Sequence, residues 1–248
     1  MKSHAIFSTK EQLDEIARIL SSYIRLPLST DTIPGALMEG LLAHVRGGVV
    51  KPTYDFVDVV NTDLKCGWQI KSTKASTPVT WKRVKIRDAD ELIKASQQNE
   101  DDLQKLGDAI IDFCNAHIKS SIELYDLDEI GFCRLIVHKN RLVTYYERLL
   151  CTRKAPILFH KKDFTWRWSK PKKTKKKEQL SALHGIHVAS EKKWFAWHGR
   201  GENQLHFTGE KTWWPKTDDI HAITFNFPPE EDRIGLERFV EFLSKLKR

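Results

Sequence analysis

The chain has 248 residues, 41 Lys and Arg against 33 Asp and Glu, 40% hydrophobic content, eight tryptophans and four cysteines. This length fits one large domain or two small ones, and the composition is ordinary enough to bury a core, which excludes a low-complexity chain. No run approaches the roughly 18 apolar residues of a membrane span, and the opening MKSHAIFSTKEQLDEIA turns amphipathic at once, so a soluble, unexported, cytoplasmic protein with no membrane partner is expected.

The excess charge is localised. Residues 151–217 hold 16 Lys and Arg against 5 Asp and Glu, leaving 25 against 28 in the rest of the chain. A basic third of this kind suits a polyanionic partner, because each phosphate neutralised releases condensed counterions. A lysine-rich solvated loop would give the same count. Cys66, Cys114, Cys133 and Cys151 form no CxxC pair and have no His at zinc-ligand spacing. Buried free thiols are expected rather than a disulfide framework or a zinc site.

In chain order, Leu13, Ile16, Leu20 and Tyr23 recur at helical spacing after Ser8 or Thr9 as N-cap. A second helix is predicted between Pro34 and Val45, with Asp31 or Thr32 as cap, a Leu37, Leu41, Val45 stripe, and a stop at Gly47-Gly48. PTYDFVDVVNT and CGWQIKST read as strands joined through Asp63-Leu64-Lys65, close enough to pair as a hairpin. Residues 81–98 fit a strand followed by a helix, and 101–119 a helix whose first turn is charged by Glu100, Asp101 and Asp102. DEIGFCRLIVHKNRLVTYYERLL gives two β-rich runs about His138-Lys139-Asn140. APILFH and DFTWRW are further strand candidates, while KPKKTKKK, 170–177, has nothing to bury and reads as a surface loop. WFAWHG, LHFTG and HAITFNF read as strands of one late sheet whose core takes most of the tryptophans, and GLERFVEFLSKLK as an amphipathic helix. His184 and His187 are expected in a loop.

The chemistry concentrates in the hairpin. Alternation puts Gln69 and Lys71 on one face of their strand and Ile70 on the other. Asp58 precedes Gln69 by 11 positions, a separation that a short hairpin converts into proximity; Asp55 would serve in another register. A carboxylate, an amide oxygen and water suit Mg²⁺, and a lysine beside them can orient or deprotonate the attacking water, or stabilise charge on a phosphate.

The order of a helical acid, a strand acid, and then an amide, a spacer and a lysine resembles the active-site signature of the PD-(D/E)xK nucleases, type II restriction endonucleases in particular. Asp58 matches the strand acid, Lys71 the lysine, and Glu39 in GALMEGLLAH the acid on a preceding helix. Gln69 stands where the pattern has Asp or Glu, which leaves one metal or two open, and Val57 stands where it has Pro. The resemblance covers residues 30–75. It implies an α/β (α+β) fold with a mixed central sheet flanked by helices, a catalytic core over 1–150, and a basic, β-rich recognition region with a terminal helix over 151–248. It implies Mg²⁺-dependent, sequence-specific hydrolysis of double-stranded DNA, with Asp58, Gln69, Lys71 and Glu39 catalytic and Asp58, Gln69 and Asp55 as metal ligands. It also implies a partner DNA methyltransferase protecting the same site, and a homodimer or a monomer that cuts strands in turn.

For DNA contacts, Ser72, Thr73, Lys74, Lys82 and Arg83 follow the lysine and are expected to hold phosphates, as are Lys172, Lys173 and Lys175. Arg200, Glu202, Asn203, Gln204 and His206 are side-chain types that read base edges, although RGEN also fits a polar turn. A non-catalytic DNA-binding protein, or a repair or junction-resolving nuclease with the same site, are the competing expectations.

Overall fold

The computed structural model describes residues 4–51, 55–74, 78–173, 178–210 and 213–246. Among these it is a mixed α+β protein, with five α-helices, one mixed sheet, one antiparallel sheet and a two-stranded ribbon. The elements are α1 (Lys10–Ile24), α2 (Gly35–Arg46), β1 (Val49–Val50), β2 (Val59–Asn61), β3 (Cys66–Lys74), β4 (Val79–Arg83), α3 (Ala89–Ala95), α4 (Glu100–Leu124), β5 (Glu129–Val137) and β6 (Leu142–Thr152). They continue with β7 (Phe164–Trp168), β8 (Lys172–Lys173), β9 (Glu178–Gln179), β10 (Leu183–His187), β11 (Lys192–Trp197), β12 (Gln204–Phe207), β13 (Ala222–Asn226) and α5 (Leu236–Lys245). No described helix is long and apolar enough to cross a membrane.

The chain forms two compact units that interleave: residues 1–77, 129–150 and 215–248 make one, and 78–128 with 151–214 the other. The chain passes between the units after residues 77, 128, 150 and 214. The reason lies in strand partnership: β4 pairs with β12, while β13 pairs with β6, so 78–83 joins later strands and 222–226 returns to earlier ones.

The first unit is built on the sheet β1-β2-β3-β5-β6-β13. Helix α1 begins at Thr9, whose side chain accepts from the Gln12 N–H while Gln12 answers to the Thr9 backbone, a capping box that satisfies two otherwise unpaired donors. Leu13, Ile16, Leu20 and Ile24 then bury one stripe. Helix α2 starts after Pro34 without a side-chain cap, and Asp31, expected to cap it, instead pairs with Arg141 and Arg233. It stops at Gly47 in the left-handed conformation. Both helices bury against Trp68, Ile70, Cys133, Leu135 and Tyr145. Gly48 is required by closeness, since a Cβ there would lie 2.8 Å from Val59 Cγ1.

The predicted strand over PTYDFVDVVNT is shorter than expected, with residues 52–54 outside the described set and a bend before Val59. Its pairing with β3 is antiparallel, Val59 opposite Trp68 and Asn61 opposite Cys66. Asn61 locks this hairpin to the end of α2: its Nδ2 donates to the carbonyls of Arg46 and Gly47 at 2.8 and 3.2 Å, and its Oδ1 accepts from the Leu64 N–H. Strand β3 then pairs in parallel with β5 along nine residues.

The second unit is built on the antiparallel sheet β4-β12-β11-β10-β7. One face carries Trp81, Trp166, Phe195, Trp197 and Phe207, all buried, and Phe159 from outside the sheet joins this aromatic cluster. APILFH forms no strand; Phe159 is held instead by Asn115 of α4, whose Nδ2 donates to its carbonyl at 2.8 Å. Helix α4 is capped by Asn99 and has Glu100, Asp101 and Asp102 in its first turn. It fits tightly against β7, because a Cβ on Gly107 would fall 2.1 Å from the Trp166 ring. His184 and His187 lie on β10 rather than in a loop, and part of the lysine run forms the ribbon of β8 with β9. All four thiols are free and buried.

Candidate active site

Extending the β2–β3 register by one residue sets Asp58 across from Gln69. The Asp58 N–H donates to the Trp68 carbonyl at 2.7 Å, and its carboxylate Oδ2 accepts the Ile70 N–H at 2.6 Å. The side chain thus substitutes for a strand carbonyl at the point where β2 has not yet begun. Lys71 Nζ lies 3.8 Å from the same Oδ2, with the two side chains 23% and 17% exposed. A charge pair at that depth is shielded enough to hold its geometry and open enough to meet a ligand.

Strand alternation places the three β3 residues as the sequence requires. Ile70 enters the core, while Gln69, 1% exposed, and half-buried Lys71 occupy the other face. Glu39, half-buried on α2, is electrostatically part of this group. Its carboxyl is pushed above the ordinary range first by burial and next by the negative charge of Asp58, with Lys71 pulling the other way. Glu39 thus feels the charges of Asp58 and Lys71, while Gln69 stands across the hairpin from Asp58. Asp55 sits in the bend three residues before Asp58, and the contacts that define the site are made by Asp58.

The β-rich run expected over DEIGFCRLIV is the neighbouring strand, but Arg134 on it was not among the expected site residues. Arg134 on β5 is the parallel partner of Lys71 and is only 7% exposed. Its Nε donates to Thr73 Oγ1 at 3.1 Å and its Nη1 to the Tyr146 hydroxyl at 3.3 Å. Burial holds the Tyr146 hydroxyl up at about 12, against the pull of Arg134, and holds Arg148 below its ordinary value. The signal was the one charge in the apolar run IGFCRLIV, but its neighbour becomes known only once the parallel pairing is known.

The expected phosphate and base contacts are scattered. Ser72 Oγ donates to the Ile33 carbonyl at 2.6 Å and Thr73 Oγ1 to that of Leu135 at 3.3 Å, so both hydroxyls serve the fold; Lys74 is exposed at the end of β3. Lys82 and Arg83 belong to the other unit, on β4 opposite Leu205 and Gln204. Lys172 and Lys173 form β8, and Lys175 lies outside the described residues. Exposed Arg200 stands over the Trp168 ring at 5.5 Å, Glu202 accepts from Gln204 Nε2 at 2.6 Å, and Asn203 takes the left-handed turn conformation at φ 54°. His206 points from β12 to the outer face of its sheet, beside His198. Of the six tryptophans expected in the core of the late sheet, Trp166, Trp197 and Trp213 are buried and Trp168, Trp194 and Trp214 partly so.

The donor set can be tested against a hard cation. Among the described residues no three His, Cys, Asp or Glu side chains cluster to hold a metal. The Asp58 charge disfavours the Glu39 carboxylate, which a divalent cation held by both would relieve, and Mg²⁺ keeps several waters and needs few protein oxygens. Asp58 and Glu39 are thus the oxygen donors that this hairpin could offer a Mg²⁺ ion, with Gln69 as a neutral neighbour. Comparison with protein families, curated proteins and solved structures finds no match for this chain.

Proposed function

We propose that the chain is a Mg²⁺-dependent, sequence-specific endonuclease acting on double-stranded DNA, of the type II restriction kind within the PD-(D/E)xK nucleases. One observation carries the reading: the Asp58 carboxylate and the Lys71 ammonium stand 3.8 Å apart at the opening of a hairpin whose intervening residue, Gln69, completes the QxK spacing. A mixed sheet with helices against it is also what the resemblance implies, and a restriction-endonuclease-like core is part of the proposal. Bound Mg²⁺ would polarise the scissile phosphate and acidify a water.

The protein's own groups supply the rest. Asp58, held by the Ile70 N–H, presents its remaining oxygen lone pairs in a fixed direction. Lys71, paired with a carboxylate, acts as a cation that stabilises the charge growing on the phosphate in the transition state. Glu39 adds a second carboxylate, and Arg134 positions the strand beside Lys71. The basic surface of the second unit supplies salt-sensitive phosphate contacts, and a methyltransferase modifying the same sequence would spare the host's cytoplasmic DNA. A palindromic site would be met by a two-fold dimer.

The experiment is Lys71→Ala assayed separately for cleavage and for duplex binding. Cleavage should fall by at least ~100-fold with binding changed only a few-fold, the size seen when a transition-state charge donor is removed. Equal loss of both would make the hairpin structural and the reading wrong.

A further inference from the structure

We infer that the outer face of the five-stranded sheet carries a second ligand site, a pocket over Ala196 that binds a phosphoryl group. None of its residues belongs to the Asp58 hairpin, although His206 is among the residues expected to meet DNA, and the site does not depend on cleavage.

The register makes the pocket. Arg167 pairs with His184, His184 with Ala196, Ala196 with His206, and His206 with Thr80, a row across all five strands. Directly paired residues share a face. The opposite face delivers Phe195 and Phe207 to the aromatic core, so this row is the outward one. At its centre a single methyl group stands between two imidazoles. The result is a concavity of about 270 Å³, closed at the sides by Ser169, Lys170, Lys193 and His198.

Apolar Pro78, Leu180, Ala182 and Ala196 form part of its lining, and the polar part is two lysines, three histidines and a serine. The two lysines are cationic and no lining residue is a carboxylate. Ser169 Oγ accepts the Ala182 N–H at 2.9 Å, which leaves its own O–H to donate. His206 Nδ1 is buried and has no hydrogen-bond partner among the described residues. The His198 and His206 rings stand 5.1 Å apart at 84°, presenting their nitrogens in different directions. Two cations, a hydroxyl and the imidazoles, with no carboxylate among them, suit an oxyanion.

The electrostatic surroundings of the two histidines favour an anion. His198 is held below the ordinary range by burial and then by Lys193; His206 by burial, then by His198 and Lys193. The charged and titratable groups facing them are Lys193 on β11, His184 on β10, Arg167 on β7 and Lys170 beyond it. A bound oxyanion would reverse the balance and raise both imidazoles.

The test uses the full chain in the presence of chelator, so that it reads nothing from cleavage. Histidine ring resonances are followed while inorganic phosphate, or separately a short DNA duplex, is added to the wild type, to Ala196→Leu, which fills the pocket, and to Lys193→Gln, which leaves the sheet intact. Phosphate should shift the His198 and His206 rings saturably and raise their titration midpoints. Ala196→Leu should abolish the response, and Lys193→Gln should weaken it at least 5-fold. If the duplex produces the same shifts and competes with phosphate, the phosphoryl group is that of nucleic acid; if phosphate alone does so, it is a free phosphate or monoester, and the site stands in either case. Absence of a saturable response to both probes, or a phosphate response unchanged in both variants, overturns the proposal.

Discussion

The backbone N–H of Ile70 donates to the Asp58 carboxylate at 2.6 Å, so that a catalytic candidate and a core residue are joined by one hydrogen bond. Ile70 is buried among the side chains that α1 and α2 cover, and Asp58 sits on the opposite, open side of that link. The position of the acid is therefore set by the packing of the sheet and not by its own flexible approach.

Asp58→Asn keeps an oxygen for the Ile70 N–H and loses only the charge. Thermal unfolding should show a cost of about 1 kcal/mol, the difference between a charged and a neutral acceptor. Asp58→Ala leaves that N–H without its acceptor and should cost about 1–3 kcal/mol. DNA cleavage should be lost in both, by ~100-fold or more. Wild-type cleavage by Asp58→Asn would remove the acid from the mechanism.

A second buried acid has a different part. Glu147 on β6 is 1% exposed, and accepts from the Ser8 N–H and hydroxyl, both at 2.6 Å, and from the Tyr145 hydroxyl at 2.8 Å. These donors and Arg46 favour the carboxylate, but burial outweighs them and raises its pKa. The folded protein then keeps the proton to higher pH than the unfolded chain. Its stabilising effect is full below the ordinary glutamate range and is lost as pH rises from there through the folded value. Glu147→Gln, followed by denaturant midpoints from pH 4 to 8, should flatten that decline; an unchanged slope would contradict the assignment.

How far the sequence could be read follows from which contacts are local. The α1 capping box, the apolar stripes and the β2–β3 hairpin are set by residues a few positions apart, and with them the proximity of Asp58, Gln69 and Lys71. Glu39 was within reach because α2 closes directly onto the hairpin through Asn61. Arg134 was not, because its place beside Lys71 depends on a parallel pairing made after more than fifty intervening residues. The same holds for β4 and β13, whose partners β12 and β6 lie far along the chain, and for Ser72, whose hydroxyl is taken by the distant Ile33 carbonyl.

In the second unit, Gly107→Ala sets two effects against each other. Helix propensity favours Ala by about 1 kcal/mol, whereas overpacking typically costs about 1–3 kcal/mol. A Cβ placed 2.1 Å from the rigid ring of Trp166 is far inside contact distance, so packing should win. The expected result is a lower unfolding midpoint, with the tryptophan fluorescence of the native state altered. A variant as stable as the wild type would mean that the α4–β7 contact is looser than described.

The most direct measurement is incubation of the purified protein with a long duplex DNA of known sequence, with Mg²⁺ and with excess chelator, followed by electrophoresis. The account predicts discrete fragments with Mg²⁺ and none with chelator, their ends defining one recognition sequence. Intact DNA under both conditions, accompanied by a salt-sensitive mobility shift, would contradict it and leave a DNA-binding protein without catalysis.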